Sequence, residues 1–166
     1  MKNLIRMALV VLLLSTSVWA QSSPQEIVKS FYGDYNKAMS AAPRRWMQTL
    51  MSEQSEHVEK PLSEALVRLA EGDPTRNEPF LDFDPFSNSQ TGLESYTVNE
   101  PTFKQGLAYV PVAMRLSRDP GPERIRLRMV LRDSGQGWKI ANVAYPAEAG
   151  MAAWDLKSYL KDIFQP

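Results

Sequence analysis

Apolar side chains recur every fourth residue from Ile27 through Phe31 and Tyr35 to Met39, with Val28, Tyr32 and Ala38 beside them. That spacing lines one side of a helix and predicts an amphipathic helix over about residues 24–40. Ser23-Pro24-Gln25-Glu26 opens it as a capping box. The serine oxygen accepts a backbone N–H three residues on, the glutamate reaches back, and proline suits the first helical position. Ala42-Pro43 breaks the pattern. A second helical stretch is expected from near Arg44, with Trp46, Met47 and Leu50, and a third from Ser55 to Ala70, striped by Val58, Leu62, Ala65, Leu66 and Leu69. Pro61 lies inside the third, so the helix either begins there or kinks.

Residues 72–92 are rich in Pro, Asp, Asn and Gly, yet hold Phe80, Leu81, Phe83 and Phe86. So many large apolar side chains predict a loop that packs on the domain. From about residue 94 the period changes to two. Tyr96, Val98 and Phe103 mark a first strand, interrupted by Pro101. A second runs from Leu107 to Leu116, with Val110, Val112, Met114 and Leu116 on one face. A third, Arg124 to Leu131, places Ile125, Leu127, Met129 and Leu131 on one face and Arg124, Arg126, Arg128 and Val130 on the other. Ser134-Gly135-Gln136-Gly137 turns the chain into a fourth strand through Trp138, Ile140 and Val143. A closing helix is expected from Met151 to Ile163. Helices first and strands after imply an α+β fold. The expected architecture is a curved antiparallel meander of about four strands, with the amino-terminal helices across one face and a carboxy-terminal helix.

The first twenty residues follow a different rule. Lys2 and Arg6 precede an apolar run, Met7 to Leu14, and a small, polar tail ends Val18-Trp19-Ala20. This is the layout of a cleavable export signal, with cutting expected between Ala20 and Gln21. The run is shorter than the ~20 apolar residues of a spanning helix. Residues 1–20 are therefore read as signal peptide and 21–166 as one domain, bound for the bacterial periplasm with no stable membrane anchor. Removing the leader changes 19 basic and 19 acidic residues to roughly 17 against 19, a balance that argues against a nucleic-acid binder. The chain has no cysteine. Disulfides, thiol catalysis and cysteine metal sites are excluded, and so is a lipid anchor on a cysteine after the cut.

The long initial helix, the loop Asp82-Phe83-Asp84-Pro85-Phe86 and the ending Gly137-Trp138-Lys139-Ile140-Ala141-Asn142-Val143 resemble a bacterial domain-of-unknown-function family that includes the YbjP-type envelope lipoproteins. That family looks related to the fold class of nuclear transport factor two, also called cystatin-like. The resemblance covers about residues 24–146 and implies a cone-like fold whose helices and sheet can enclose a pocket. It implies no activity, since this fold carries enzymes, binding modules and interaction domains alike. The missing anchoring cysteine departs from the lipoprotein members and implies a soluble location.

Asp82 and Asp84 are the first candidates for chemistry. Two apart in an extended segment, their carboxylates face the same way and could share a proton or hold a cation. The structural alternative, favoured by the turn chemistry of aspartate, is that they bind backbone N–H groups and shape the loop. A calcium loop is disfavoured because the D-x-[DN]-x-[DN]-G pattern fails at Phe86 and Ser87. His57, the single histidine, cannot make a multi-histidine metal site; paired with an acid it could serve as a general base, against the plainer role of a surface histidine. Arg124, Arg126 and Arg128 alternate along one strand, with Arg115 a candidate to join them from the neighbouring one, forming a basic stripe able to grip carboxylates, or else a solvated outer face. Tyr32, Tyr35, Trp46 and the phenylalanines are read as core before cavity lining.

No cofactor, metal or catalytic motif is expected. The favoured reading is an exported, non-catalytic binding or interaction protein for a periplasmic protein or small acidic ligand, in one form a neutraliser of envelope-targeting toxins. The alternatives are a pocket enzyme using His57 or Asp82/Asp84, and a small-molecule or lipid carrier. The address is directly testable: full-length protein expressed in a Gram-negative host should be recovered from the periplasm with Gln21 at its amino terminus by Edman sequencing. Intact leader on cytosolic protein would refute the export signal.

Overall fold

The computed structural model describes residues 21–72, 83–118, 121–148 and 150–164. The leader, residues 1–20, falls outside them, as do Phe80, Leu81 and Asp82. Four helices and six strands follow in chain order: α1 (Pro24–Ala41), α2 (Trp46–Glu53), α3 (Lys60–Glu71), β1 (Leu93–Val98), β2 (Thr102–Lys104), β3 (Leu107–Leu116), β4 (Arg124–Asp133), β5 (Trp138–Tyr145), β6 (Trp154–Asp155) and α4 (Leu156–Phe164). The strands form one antiparallel sheet in the order β1-β3-β4-β5-β6, with β2 also pairing β3. The α+β class is therefore as expected.

The capping box forms as the sequence implies. The Glu26 N–H donates to Ser23 Oγ at 3.3 Å and the Ser23 N–H to Glu26 Oε2 at 2.7 Å. Pro61 falls in the first turn of α3, where a missing N–H costs nothing. The helix begins at Lys60, not Ser55. Residues 57–59 instead run beside β5: the Ile140 N–H donates to His57 O and the Glu59 N–H to Ile140 O, at 2.7 and 2.9 Å. This short parallel bridge covers part of an edge that would otherwise present bare backbone groups.

Six strands replace the expected four for two local reasons. Pro111, in the middle of β3, has no N–H to give. The side of β3 it faces is where the chain between β1 and β2 leaves the ladder. There the Pro111 carbonyl accepts the Asn99 N–H at 2.9 Å, and Pro101 follows. The first strand thus divides into β1, along Val112–Leu116, and β2, along Leu107–Tyr109. At the other end, Tyr145 and Ala144 pair with Trp154 and Asp155 to make β6. The closing helix therefore starts at Leu156 rather than Met151. Asp155 is free to accept from the Ser158 N–H at 3.0 Å and Ser158 Oγ at 2.8 Å, capping its first turn.

The register shifts at Glu94 in β1, at Arg126 in β4 and at Ala141 in β5, and the last two set the faces of the central strands. Val112 pairs with Leu127 but Ala113 with Ile125, leaving Arg126 as an extra residue in β4. Val130 pairs with Asn142 but Leu131 with Ile140, leaving Ala141 extra in β5. Each extra residue shifts the alternation by one position. Ile125, expected in the core beside Leu127, lies opposite outward-facing Ala113 and is 43% exposed. The inner face keeps Ala108, Val110, Val112, Met114, Leu127, Met129, Leu131, Ile140 and Val143, all buried. Against it lie α1, α2 and α3 through Val28, Phe31, Tyr32, Tyr35, Leu50 and Leu66.

The bulge makes opposite demands on neighbouring apolar residues. Leu127→Ala should cost about 2–5 kcal/mol, as for a filled core position. Ile125→Ala should cost about 0.5 kcal/mol or less, as for a surface position. Urea unfolding of both variants checks this; equal losses would mean that Ile125 is core and the bulge absent.

Candidate functional site

A buried tyrosine hydroxyl must find a hydrogen-bond partner. Three of them converge on one short loop. Tyr32 of α1 donates to the Phe86 carbonyl at 2.7 Å, and Tyr145 of β5 to the Pro85 carbonyl at 2.8 Å. Tyr35, one helical turn after Tyr32, donates to Asp84 Oδ2. Ser87 Oγ donates to the same oxygen at 2.9 Å, and the Phe86 N–H to Asp84 Oδ1 at 2.8 Å. The backbone closes the loop, with the Asp84 N–H on Ser89 O at 2.8 Å. Phe86 fills the centre edge-on to Phe31, Tyr35 and Trp46, with ring centroids 4.8 to 6.3 Å away. Phe83 packs outward against Trp154 and Tyr159. The described part of the loop, residues 83–92, is thus packed on the domain through Phe83 and Phe86, as those phenylalanines imply.

Asp84 is half-buried, with its carboxylate turned in among these donors. Burial is the largest influence on it and raises its pKa above the ordinary 3.8, against the lowering effect of Tyr35, Phe86 and Ser87. Burial and the nearby Asp84 carboxylate also raise Tyr35 and Tyr32, and burial with Asp84 raises Tyr145. None of the three hydroxyls is prepared to lose a proton. They act as donors that hold the loop.

The other candidates are dispersed. Asp82 lies outside the described residues, so its pairing with Asp84 has no geometry here. His57 is half-buried in the turn before α3 and lines a polar cleft of about 410 Å³ with Glu56, Gln136, Trp138 and Lys139. Asp34 is the nearby acid, and its pKa is lowered first by the Lys37 hydrogen bond at 2.7 Å and also by Gln54 and His57. Lys37 and Gln54 Nε2 (2.6 Å) already occupy both of its oxygens.

The arginine stripe does not form as expected. Arg126 is the bulged residue and is buried at 6% exposure. Arg124 lies opposite Met114, on the core-bearing face at the exposed strand end. Arg128, opposite Pro111 and Ala144, and Arg115, opposite Ser95, remain on the outer face. Pro111 and Arg115 are four residues apart on β3, ~13 Å at the usual rise, so Arg128 and Arg115 are not neighbours on that face. Among the described residues no three His, Asp or Glu side chains gather as metal ligands.

A cleft of about 400 Å³ opens beside the pinned loop, lined among others by Tyr35, Met39, Arg44, Trp46, Phe83 and Asp84. The sequence pattern overlooked the part played by Tyr32, Tyr35, Tyr145 and Ser87; the available signal was three tyrosines at core positions, each needing an acceptor. Compared with known proteins, the chain matches no family model, no curated protein and no solved structure.

The raised Asp84 pKa fixes a pH dependence. The folded state binds this proton more tightly than the unfolded chain, so its contribution is full below pH 3.8 and is lost as pH rises through the higher folded-state value. Thermal melting of the wild type and Asp84→Asn from pH 3.5 to 8 should show wild type losing stability relative to the variant across that window, then a constant difference. A wild-type advantage that grows with pH would show that the loop's donors outweigh burial.

Proposed function

We propose that this chain is an exported periplasmic binding protein without catalytic activity, of the YbjP-type family and the cystatin-like fold class, which recognises its partner on its surface. The observation carrying this reading is the filled interior. The space between helices and sheet is occupied by Phe31, Tyr32, Tyr35, Phe86, Leu127 and Met129, each no more than 2% exposed. Where a pocket enzyme of this fold class would aim a titratable group into a hollow, Asp84 is held by three donors, Phe86 and Ser87 of its own loop and Tyr35 of α1. A lipid carrier would need a large apolar cavity open to solvent, which a packed aromatic centre opposes. The export signal in the sequence supports the location. Among the described residues no helix is long and apolar enough to cross a membrane. Neutralisation of an envelope-targeting toxin is one form the binding would take.

Cross-linking of the mature protein in periplasmic extract, followed by mass spectrometry and reconstitution from purified components, should give a defined stoichiometric complex. Turnover of a small substrate that disappears in His57→Gln, with no reconstitutable partner, would replace this reading with the enzyme.

A further inference from the structure

The outer face of a half-covered antiparallel sheet is normally polar. Here its middle is not. Residues directly opposite across antiparallel strands project on the same side, so Tyr109, Pro111 and Ala113 of β3, Ile125 and Val130 of β4 and Ala144 of β5 share that face, with Asn142 and Asp155 beside them, where Asp155 accepts from Asn142 at 2.7 Å and from Ser158 Oγ at 2.8 Å. Val130 is 5% exposed although it lies outside the inner core cluster. Arg128 stands at the centre, between Pro111 and Ala144, and is half-buried. Its neighbour Arg132, farther along β4, is answered by Glu59 at 3.1 Å. Arg128 has no carboxylate partner among the described residues. Beside it a trough of about 550 Å³ is lined by Thr102, Lys104, Tyr109, Arg128, Ala144 and Pro146, with Phe103, 63% exposed, at its rim.

We propose that this outer face docks an acidic protein segment that places a carboxylate on Arg128 and apolar side chains along the trough. The inference rests on the binding reading above and deepens it by naming the surface and the partner's chemistry. Charge complementarity selects the occupant. The cations here are Arg128, Lys104 and, toward one end, Arg115, and a guanidinium set among apolar side chains gains most from a carboxylate that replaces its lost water. A second copy laid on the same face would bring Arg128 towards Arg128, a like-charge contact that opposes self-association.

The probe is a random copolymer of glutamate and tyrosine, titrated into ¹⁵N-labelled mature protein and followed by NMR, with a lysine–tyrosine copolymer as the control. Shift changes should concentrate at Tyr109, Arg128, Val130 and Ala144. Arg128→Glu should weaken binding by about tenfold or more, Arg128→Gln by less, and His57→Gln not at all; unchanged dispersion of the remaining amide signals shows that each variant is folded. Absence of binding, shift changes centred elsewhere, undiminished binding by both Arg128 variants, or equal binding of the lysine copolymer would each overturn the proposal. So would a dimer in sedimentation equilibrium that dissociates on substitution of Ile125 by Glu, which would assign the face to a second copy. The two readings fail separately: a reconstituted periplasmic complex that tolerates Arg128→Glu removes this surface and leaves the binding function in place.

Discussion

Tyr32, Tyr35 and Tyr145 each end in a hydroxyl that the core cannot solvate, and all three deliver it to the loop from Asp84 to Phe86. The packing of helices on sheet depends on this arrangement. Tyr32 and Tyr35 come from α1 and Tyr145 from the end of β5, so the loop is the common acceptor through which the two layers are joined. The loop in turn supplies Phe86, which occupies the space a hollow version of the fold would leave open. Hydrogen bonding and packing are coupled here. If the loop withdrew its two carbonyls and its carboxylate, three hydroxyls would be stranded in an apolar centre and the aromatic ring that excludes water would leave with them.

The same coupling explains the character of Asp84. A carboxylate among buried aromatic rings is costly, and burial raises its pKa. Its donors keep it in place at the expense of its use as a base or ligand. Acid chemistry needs a group that is perturbed and also accessible to a substrate. Asp84 has the perturbation, but both oxygens already serve Tyr35, Phe86 and Ser87. A perturbed pKa marks the structural hub of this protein.

Local pattern was enough to place α1 and its cap, β3, β4 and β5, and the packing of the phenylalanine loop, because each depends on side chains a few residues apart. What it could not place depends on pairs far apart in sequence. Arg124 to Leu131 alternates cleanly, yet the extra residue at Arg126 reverses the facing of Ile125 and takes apart the stripe of arginines; the bulge is fixed by pairing with Val112 and Ala113 on another strand. The break of the first strand was expected at Pro101, but its counterpart, Pro111 in the partner strand β3, lies outside that local pattern. The stretch before Lys60 read as helix because Val58 continues the apolar stripe, but its backbone is claimed by Ile140, more than eighty residues later. The convergence of Tyr32 and Tyr145 on Phe86 and Pro85 joins three distant segments, and only the need of a buried hydroxyl for an acceptor hints at it.

The two faces of the sheet differ in what answers their side chains. On the inner face, large side chains interdigitate with helices, and Tyr32, Tyr35, Tyr145 and Asp84 find their hydrogen bonds within the protein. On the outer face, Pro111, Ala113 and Ala144 are small and flat, and Ile125 is turned out by the bulge that takes its place in the alternation. A bulge that served the core alone would have kept Ile125 inside with Leu127. The insertion of Arg126 instead buries a cation in the strand and sends an apolar side chain to the surface, where the proposed docking would cover Ile125. The proposed docking on this face therefore has two independent roots: an Arg128 guanidinium with no carboxylate partner among the described residues, and an apolar side chain displaced towards it by the strand's own irregularity.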